Sequence, residues 1–239
     1  MEEIFFTIDS EQIDNNNFSL SKSESHHFIN SLRGEIGDLI WLLDGKGSAY
    51  KSQVISIKNS LVSGHINHKI PNYGESASDV HLIMGLIKGH RMDFALEKAT
   101  ELGVKSIQPI IFERCVKKKL NFERTGRIIE SAAKQAGRSF FPVLHPLIKL
   151  DKWIKTHFSD INILFHINGS QNLKDIINTE KKSFNMIIGP EGDFSDNEIE
   201  QFENINAFKV NLSPCRLRSE TSVIAGLANI KQLLSYTNG

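Results

Sequence analysis

The sequence predicts an α/β protein in which a small N-terminal β-barrel precedes a mostly parallel sheet covered by helices on both faces. The first 70 residues consist of short alternating apolar runs divided by turn residues, which is typical of small antiparallel sheets. From Val80 onward, strand-like and helix-like segments alternate, as in parallel α/β folds. The chain has 239 residues, of which 40% are hydrophobic, so one large or two small domains with a substantial core are expected.

The N-terminal part contains a strong β-hairpin signal. Strand-like runs at 38–43 and 50–57 flank the turn Asp44-Gly45-Lys46-Gly47, and Asp-Gly favours such turns because glycine accepts a positive φ. A further short strand is expected at 60–66 and one helix at about 23–32. The polar stretch 71–76 reads as a linker, so we place the domain boundary near residue 72.

The second part alternates between strands and amphipathic helices. Predicted strands lie at 80–86, 106–111, 161–165, 184–188 and 208–212. One helix carries an apolar stripe that ends at Gly103, namely Met92, Ala95, Leu96, Ala99 and Leu102. Another carries a stripe that ends at Gly137, namely Ile128, Ile129, Ala132, Ala133 and Ala136. Regular alternation of this kind predicts a parallel sheet with helices on its faces.

Two strand–turn–helix junctions, at 186–195 and 210–221, are the most informative feature of the chain. Ser195 and Glu198 form a predicted capping box, and Ser219 is expected to cap the last helix. That helix has one apolar face, formed by Val223, Leu227, Ile230 and Leu234. The junctions place Glu191 and Arg218 at carboxyl ends of strands, where open α/β sheets bind ligands. Two ordinary connecting loops would give the same pattern, so loop chemistry alone leaves both interpretations open.

The charge distribution indicates a phosphate-rich partner despite a formal net charge of zero. Nine lysines and arginines and only three glutamates lie between Glu113 and Lys149, a local net charge of +6. Such a segment is able to bind RNA phosphates, although Glu123 and Arg127 form an i,i+4 pair typical of a solvated helix face. The run Lys117-Lys118-Lys119 has no such partner in the sequence and favours phosphate binding.

Composition and motif searches exclude several classes of protein. No apolar run approaches the length of a transmembrane helix, the N-terminus lacks a signal-peptide pattern, and the two cysteines do not form a disulfide framework. A cytoplasmic protein without a metal site and without a membrane is therefore expected. P-loop, dinucleotide-binding, nucleophile-elbow and zincin motifs are absent from the sequence. Cys115 follows Arg114 and precedes three lysines, which would lower its pKa, but a packing role is the commoner one.

Several motifs together resemble one family. Gly189-Pro190-Glu191-Gly192-Asp193-Phe194-Ser195 and Leu217-Arg218-Ser219-Glu220-Thr221 closely resemble the RsmE family, which comprises 16S rRNA uridine-N3 methyltransferases of the SPOUT superfamily. Supporting motifs, in the same order as in the family, lie at 32–33, 37–38, 44–47, 88–91, 97–104, 113–117 and 132–138. Two departures are Asp193, where the family usually has glycine, and Ser213-Pro214-Cys215-Arg216.

The resemblance implies an architecture and an activity. It implies a PUA-like RNA-binding barrel at 1–72 and a SPOUT domain at 73–239, with a deep trefoil knot and a cofactor site at about 186–222. S-adenosylmethionine would be held largely by backbone groups of residues 188–192 and 212–218. The activity would be methylation of N3 of a specific uridine in 16S rRNA of the small ribosomal subunit, by a homodimer whose second subunit completes the RNA site. Alternative functions are a non-catalytic rRNA-binding assembly factor and a SPOUT ribose 2′-O-methyltransferase.

The motifs also indicate candidate site residues. Because uridine N3 carries a weakly acidic proton, the reaction needs a proton acceptor or a cation that stabilises the uridine anion. Arg218 or Arg138 would supply the charge, and Glu220 or Glu191 would accept the proton or orient an arginine. The resemblance implies cofactor contacts from Ile188, Gly189, Pro190, Glu191, Gly192, Leu212, Cys215, Leu217, Arg218 and Thr221. Candidate RNA contacts are Arg33, Lys88, Arg91, Arg114, Lys117, Lys118, Gln135 and Arg138.

Overall fold

The computed structural model describes residues 3–155, 161–177 and 183–237, which fold as two units. The first unit contains residues 1–76 and 131–141, and the second contains 77–130 and 142–239. The sequence predicts residues 131–141 in the C-terminal domain. In the structure these residues fold with the first unit, in which Lys134 pairs with Glu24 and Arg138 pairs with Glu75.

Among the described residues, the first unit is built on a six-stranded sheet in the order β1-β4-β5-β6-β3-β2, in which only the β1–β4 pair is parallel. Its strands are β1 (Phe5–Thr7), β2 (Ile13–Asp14), β3 (Asn17–Ser19), β4 (Leu39–Leu43), β5 (Ser48–Lys58) and β6 (Leu61–Pro71). The core consists of alternate strand residues such as Phe6, Phe18, Leu42, Val54 and Val62. As the alternating sequence pattern predicts, one face of each strand therefore packs in the core of the first unit.

Turn chemistry explains where these strands end. Gly45 and Gly47 have φ values of +66° and +111°, as the predicted hairpin between β4 and β5 requires. Asn59 and Ser60 also have positive φ, so Ser60 lies in the β5–β6 turn and not in the predicted strand. The predicted helix at 23–32 is divided into α1 (Lys22–His26) and a wide turn of π-helix (His27–Ser31).

The described part of the second unit has seven parallel strands in the order β10-β8-β7-β12-β11-β13, with β9 also paired to β8. They are β7 (Asp79–Gly85), β8 (Ser106–Ile111), β9 (Val143–Leu144), β10 (Ile148–Lys149), β11 (Ile161–Phe165), β12 (Ser183–Ile188) and β13 (Phe208–Val210). The five strands that the sequence predicts are all present. The residues of β12 from Phe184 to Ile188 are all buried, and the one polar side chain among them, Asn185, donates to Asn162 Oδ1 at 2.9 Å.

Helices connect these strands and cover their faces. They are α2 (His90–Glu101), α3 (Phe122–Gln135), α4 (Leu150–Ile154), α5 (Leu173–Ile177), α6 (Asp196–Asn204) and α7 (Ser219–Thr237). The predicted apolar face of α7 is confirmed, since Val223, Leu227 and Ile230 are fully buried. Ala136, from the other predicted stripe, is exposed and lies one residue beyond the end of α3. No helix among the described residues has the length and hydropathy needed to span a membrane.

Candidate active site

Three loops at the carboxyl edge of the second unit's sheet enclose a cavity of about 280 Å³. They follow β11, β12 and β13, and carboxyl ends of neighbouring parallel strands meet at one edge of a sheet. The lining residues are 91, 165–167, 188–191, 193, 211–213, 215–220 and 222. Both predicted junctions therefore contribute to one cavity, and a third loop completes it.

Ser219 joins the two predicted junctions. The sequence predicts that this serine caps α7, but Ser219 is the first residue of the helix and its hydroxyl donates to the Gly189 carbonyl at 2.8 Å. By contrast, the predicted capping box of α6 is confirmed: Ser195 Oγ accepts from the Glu198 amide at 3.2 Å, and Glu198 Oε2 accepts from the Ser195 amide at 2.9 Å. These bonds fix the loops that bound the cavity.

Glu191 forms an ion pair with Arg91, another residue of the cavity lining. Its Oε1 atom accepts a short hydrogen bond from Arg91 Nη2 and a longer one, 3.4 Å, from the Lys88 amide. Arg91 lies in the first turn of α2 and its side chain is 32% exposed. The negative charge of the Glu191 carboxylate is thus balanced by Arg91, and the ion pair fixes the orientation of the Arg91 side chain.

Glu220 has an unused acceptor. The residue is only 8% exposed, and its Oε2 atom is buried without a hydrogen-bond partner among the described residues. A buried polar atom in this state costs free energy, of the order of 1–3 kcal/mol, unless a ligand satisfies it. Arg218, two residues earlier, is exposed and lines the same cavity. The site therefore combines an available guanidinium with an available carboxylate oxygen.

The loop after β11 is the part of the site that sequence reasoning missed. His166 lines the cavity, its amide donates to the Val210 carbonyl at 3.0 Å, and its Nδ1 accepts from the Asn168 amide at 3.2 Å. Gly169 lies so close to β13 that a Cβ atom there would be 2.3 Å from the Val210 carbonyl carbon. The available signal is the end of a predicted strand followed by His166-Ile167-Asn168-Gly169. That signal is weak because no helix begins at that point.

Most predicted cofactor contacts meet in the cavity. Those that line it are Ile188, Gly189, Pro190, Glu191, Leu212, Cys215, Leu217 and Arg218. Gly192 and Thr221 lie outside the lining. Gly192 packs against Arg114, whose Nη1 donates to the Gly192 carbonyl at 3.4 Å, and Thr221 is exposed. Lining residues outside the predicted cofactor loops 188–192 and 212–218 include Phe165, His166, Asp193 and Asn211.

The predicted RNA contacts are distributed over both units. Arg33 and Gln135 are exposed residues of the first unit. In the second unit, Lys88, Arg114 and Lys118 are exposed, Lys117 is half-buried, and Arg91 lines the cavity.

Arg138 requires a correction. It lies in the first unit with a side chain only 3% exposed, and its Nη2 is 2.7 Å from Glu75 Oε2. A buried guanidinium already paired with a carboxylate is unavailable to a substrate base or an RNA phosphate. The structure therefore gives Arg138 an internal structural role, in place of the catalytic and RNA-binding roles that the sequence suggested.

The basic segment is less positive at its surface than its composition suggests. Arg124, Arg127, Lys134 and Arg138 form ion pairs with carboxylates, including the predicted pair of Arg127 with Glu123 at 3.5 Å.

Cys115 is 4% exposed, and burial raises the pKa of its thiol, contrary to the effect expected from its basic neighbours. It packs in the core and is no candidate nucleophile. The described residues contain no cluster of metal-binding side chains.

Comparison with protein families identifies the chain. A family described as the RNA methyltransferase domain matches residues 74–231, which is more than half of the chain. This chain belongs to the RNA methyltransferase domain family. A second family, the RNA methyltransferase PUA domain, matches residues 20–64, within the first unit. The PUA-like character predicted for the N-terminal barrel is therefore confirmed.

Full-length relatives of this RNA methyltransferase confirm the resemblance to the RsmE family. Ribosomal RNA small subunit methyltransferase E of Buchnera aphidicola from Acyrthosiphon pisum is 27% identical, over 93% of this chain and 91% of its own length. The crystal structure of the Neisseria gonorrhoeae enzyme of the same name, bound to S-adenosylmethionine, has a TM-score of 0.88 and 29% identity, covering 97% of this chain and 98% of its own. A Legionella pneumophila methyltransferase structure in complex with the same cofactor has a TM-score of 0.85 and 28% identity over similar lengths.

Proposed function

We propose that this protein transfers a methyl group from S-adenosylmethionine to N3 of a specific uridine in 16S rRNA of the small ribosomal subunit. The observation that carries the proposal is the cavity at the carboxyl edge of the second unit's sheet, formed by the two motifs that resemble the RsmE family. The similarity to relatives named ribosomal RNA small subunit methyltransferase E extends over nearly the whole chain and supports the same substrate.

The residues of the cavity fit the cofactor chemically. S-adenosylmethionine is a compact zwitterion with an additional sulfonium charge, and the cavity volume lies near the lower end of the range for small-molecule sites, about 300–1,000 Å³. Glu191, Asp193 and Glu220 place three carboxylates around it. The orphaned Oε2 atom of Glu220 is the kind of acceptor that a ligand N–H group satisfies, and we assign it to the N3–H of the methyl acceptor and not to the cofactor. We assign the cofactor to this cavity, with residues 188–191, 212, 215 and 217 as its contacts; Arg218 would contribute backbone groups only, which leaves its guanidinium for the methyl acceptor.

Arg218 and Glu220 are the residues that we assign to the methyl acceptor. When bound, the cofactor supplies an electrophilic methyl group; positioning and charge come from the protein. Arg218 is exposed at the cavity and would stabilise negative charge on the uridine base as N3 loses its proton. Glu220 would accept that proton, because its Oε2 has no partner among the described residues, whereas Glu191 already accepts from Arg91.

RNA binding, assembly and location complete the proposal. Arg33, Lys88, Arg91, Arg114, Lys117, Lys118 and Gln135 are the proposed RNA contacts, and their exposure supports this for all but the partly buried Arg91 and Lys117. We keep the domain boundary at 72/73, the trefoil knot and the homodimer as proposals that rest on the family resemblance. A cytoplasmic location follows from a ribosomal substrate.

The test is methylation of small ribosomal subunits purified from cells that lack this protein, with S-adenosylmethionine added and nucleosides analysed by mass spectrometry. We expect 3-methyluridine as the product. A ribose-methylated nucleoside would mean that the methyl acceptor is a ribose 2′-oxygen and not uridine N3. Binding of subunits without any methyl transfer would identify the protein as an assembly factor.

Two variants test the assigned residues. Arg218→Ala and Glu220→Gln should each lower kcat by about 100-fold or more while cofactor binding persists, since each removes a group that acts on the acceptor. Glu191→Gln is the matched control and should mainly affect binding, through Arg91. Unchanged turnover in Glu220→Gln would contradict the assignment of the proton acceptor.

A further inference from the structure

Asp193 is a carboxylate of the cavity to which the proposed mechanism gives no role. It closes the turn after β12, where its amide donates to the Pro190 carbonyl at 3.0 Å. Its φ is +63°, a backbone conformation that glycine adopts without strain and other residues adopt infrequently. The side chain is therefore present at a position where the backbone alone would favour glycine.

Neighbouring groups orient this carboxylate. Asp193 Oδ1 accepts from the Phe194 amide at 3.0 Å and lies 3.9 Å from His166 Nε2. Because His166 Nδ1 accepts from the Asn168 amide, the neutral imidazole carries its proton on Nε2, on the side of Asp193. Oδ2 has no hydrogen-bond partner within the described parts of the chain, and the side chain is 33% exposed at the cavity. One oxygen is thus fixed and the other is available.

The charges around the cavity indicate what the available oxygen binds. Arg91, Arg216 and Arg218 share the lining with Glu191, Asp193 and Glu220. Glu191 is paired with Arg91, and the proposed mechanism uses Arg218 and Glu220 at the acceptor. Among the described residues Asp193 forms no ion pair with Arg216, and His166 is the basic group nearest to it, at 3.9 Å, so Asp193 remains as a negative charge for a cationic ligand group.

We infer that Asp193 recognises the positive charge of the cofactor, which rests on the proposed function of the cavity. S-adenosylmethionine carries a sulfonium and an α-ammonium group, S-adenosylhomocysteine carries only the ammonium, and 5′-methylthioadenosine carries neither. A carboxylate that recognises charge discriminates among these three ligands, whereas a residue that only shapes the loop affects all three alike.

Calorimetric titration of the full-length wild type, Asp193→Asn and Asp193→Gly with the three ligands tests this inference. Asparagine keeps the size and tolerates positive φ, and glycine fits this φ without strain, so both variants should fold. We expect both to bind S-adenosylmethionine about two- to fivefold more weakly, the size of one partly exposed ion pair, with unchanged affinity for 5′-methylthioadenosine. A weakening confined to S-adenosylmethionine assigns Asp193 to the sulfonium; an equal weakening of S-adenosylhomocysteine assigns it to the ammonium.

Two results would overturn the inference: unchanged affinity for S-adenosylmethionine in both variants, or an equal loss for 5′-methylthioadenosine. Failure of the proposed function is distinguishable, because the wild type would then bind none of the three ligands. Thermal unfolding of each variant identifies any loss that arises from a disturbed loop.

Discussion

At the scale of single residues, partners decide the roles of similar side chains. Glu191 and Glu220 both lie in the predicted junctions and both line the cavity. Arg91 neutralises the first, whereas the second keeps a buried oxygen without a partner among the described residues. The sequence leaves the two interchangeable as proton acceptors, because Arg91 is 100 residues away along the chain from Glu191.

Arg138 illustrates the same principle in the first unit. Its position in a basic segment suggests phosphate binding, but Glu75, 63 residues away, binds it from the predicted linker. The sequence contains both residues and gives no sign of their pairing, since long-range ion pairs leave no periodic pattern.

Glu24 provides a pH-dependent contribution to stability. Burial alone would raise the pKa of this carboxyl group, but hydrogen bonds from Lys134 and Thr7 outweigh it and hold the pKa below its ordinary value of 4.5. A lowered pKa in the folded state means that the carboxylate stabilises the fold above pH 4.5 and loses this effect as the pH falls through the folded-state pKa.

Replacing the partner of Glu24 should therefore destabilise the first unit mainly near neutral pH. Lys134→Met keeps the aliphatic stem and removes the ammonium that lies 2.6 Å from Glu24 Oε2. We expect a loss of about 1–3 kcal/mol in the free energy of unfolding at about pH 7, and a smaller loss in acid, below the folded-state pKa of Glu24. Urea unfolding at both pH values measures it. Lys209→Met, which breaks the more exposed pair with Glu203, is the control and should cost less than about 1 kcal/mol. Equal losses at both pH values would contradict the role of the charge pair.

At the scale of elements, close backbone approach fixes the site loop against the sheet. A Cβ atom at Gly85, the last residue of β7, would be 2.7 Å from the Pro190 nitrogen and 2.9 Å from the Phe112 ring. Backbone atoms of a loop cannot move aside as the end of a flexible side chain can. Glycine is therefore required at this strand end for the loop after β12 to reach the cavity.

Gly85→Ala should accordingly destabilise the second unit by about 1–3 kcal/mol and weaken cofactor binding, because the loop must shift. Gly126→Ala is the matched control: it lies in α3, where an added Cβ has no neighbour within 4 Å, and it should raise stability by up to about 1 kcal/mol through helix propensity. Thermal unfolding and calorimetric titration of both variants measure the two effects. A Gly85→Ala protein with unchanged stability and affinity would show that the loop is not held by this contact.

The elements themselves were largely predictable. The strands at 106–111 and 161–165 agree with the structure to the residue, because buried parallel strands are short, largely apolar segments between clear helix signals. Their polar residues Ser106, Gln108 and Asn162 are buried and hydrogen-bonded. The errors lie at strand boundaries, which depend on turn conformation. Ser60 belongs to a turn with positive φ, and β13 ends at Val210 and not at residue 212. The sequence does not predict the short strands β9 and β10, since a strand of two residues is too short to show an alternating pattern.

At the scale of the whole molecule, a neutral chain presents an uneven charge distribution. Within the part of the chain that the structure describes, Lys117, Lys118 and Lys119 have no carboxylate partner, whereas Arg124 and Arg127 do. Counterion release should make RNA binding depend on the unpaired lysines and little on the paired arginines.

Neutralising the unpaired lysines should reduce the salt dependence of RNA binding. Lys117→Gln together with Lys118→Gln should weaken binding to 16S rRNA at low salt and reduce the slope of log K against log salt by about 1–2, since each phosphate that is no longer neutralised accounts for about one unit or less. Filter binding over a range of KCl concentrations measures the slope. Arg127→Gln, which removes a cation already paired with Glu123, is the control. A slope that changes only in the control would exclude the lysine run as an RNA contact.

The sequence by itself determined the fold class, the five principal strands of the parallel sheet, the two site loops and the resemblance to a methyltransferase family. These properties are local: apolar periodicity, turn residues and short motifs are all encoded within a few neighbouring positions. Only the tertiary structure decided which carboxylate lacks a partner among the described residues, that Arg138 is buried in an ion pair, and that His166 shares the cavity with both motifs. Those outcomes depend on residues far apart in sequence that folding brings together, and no local pattern records such pairing.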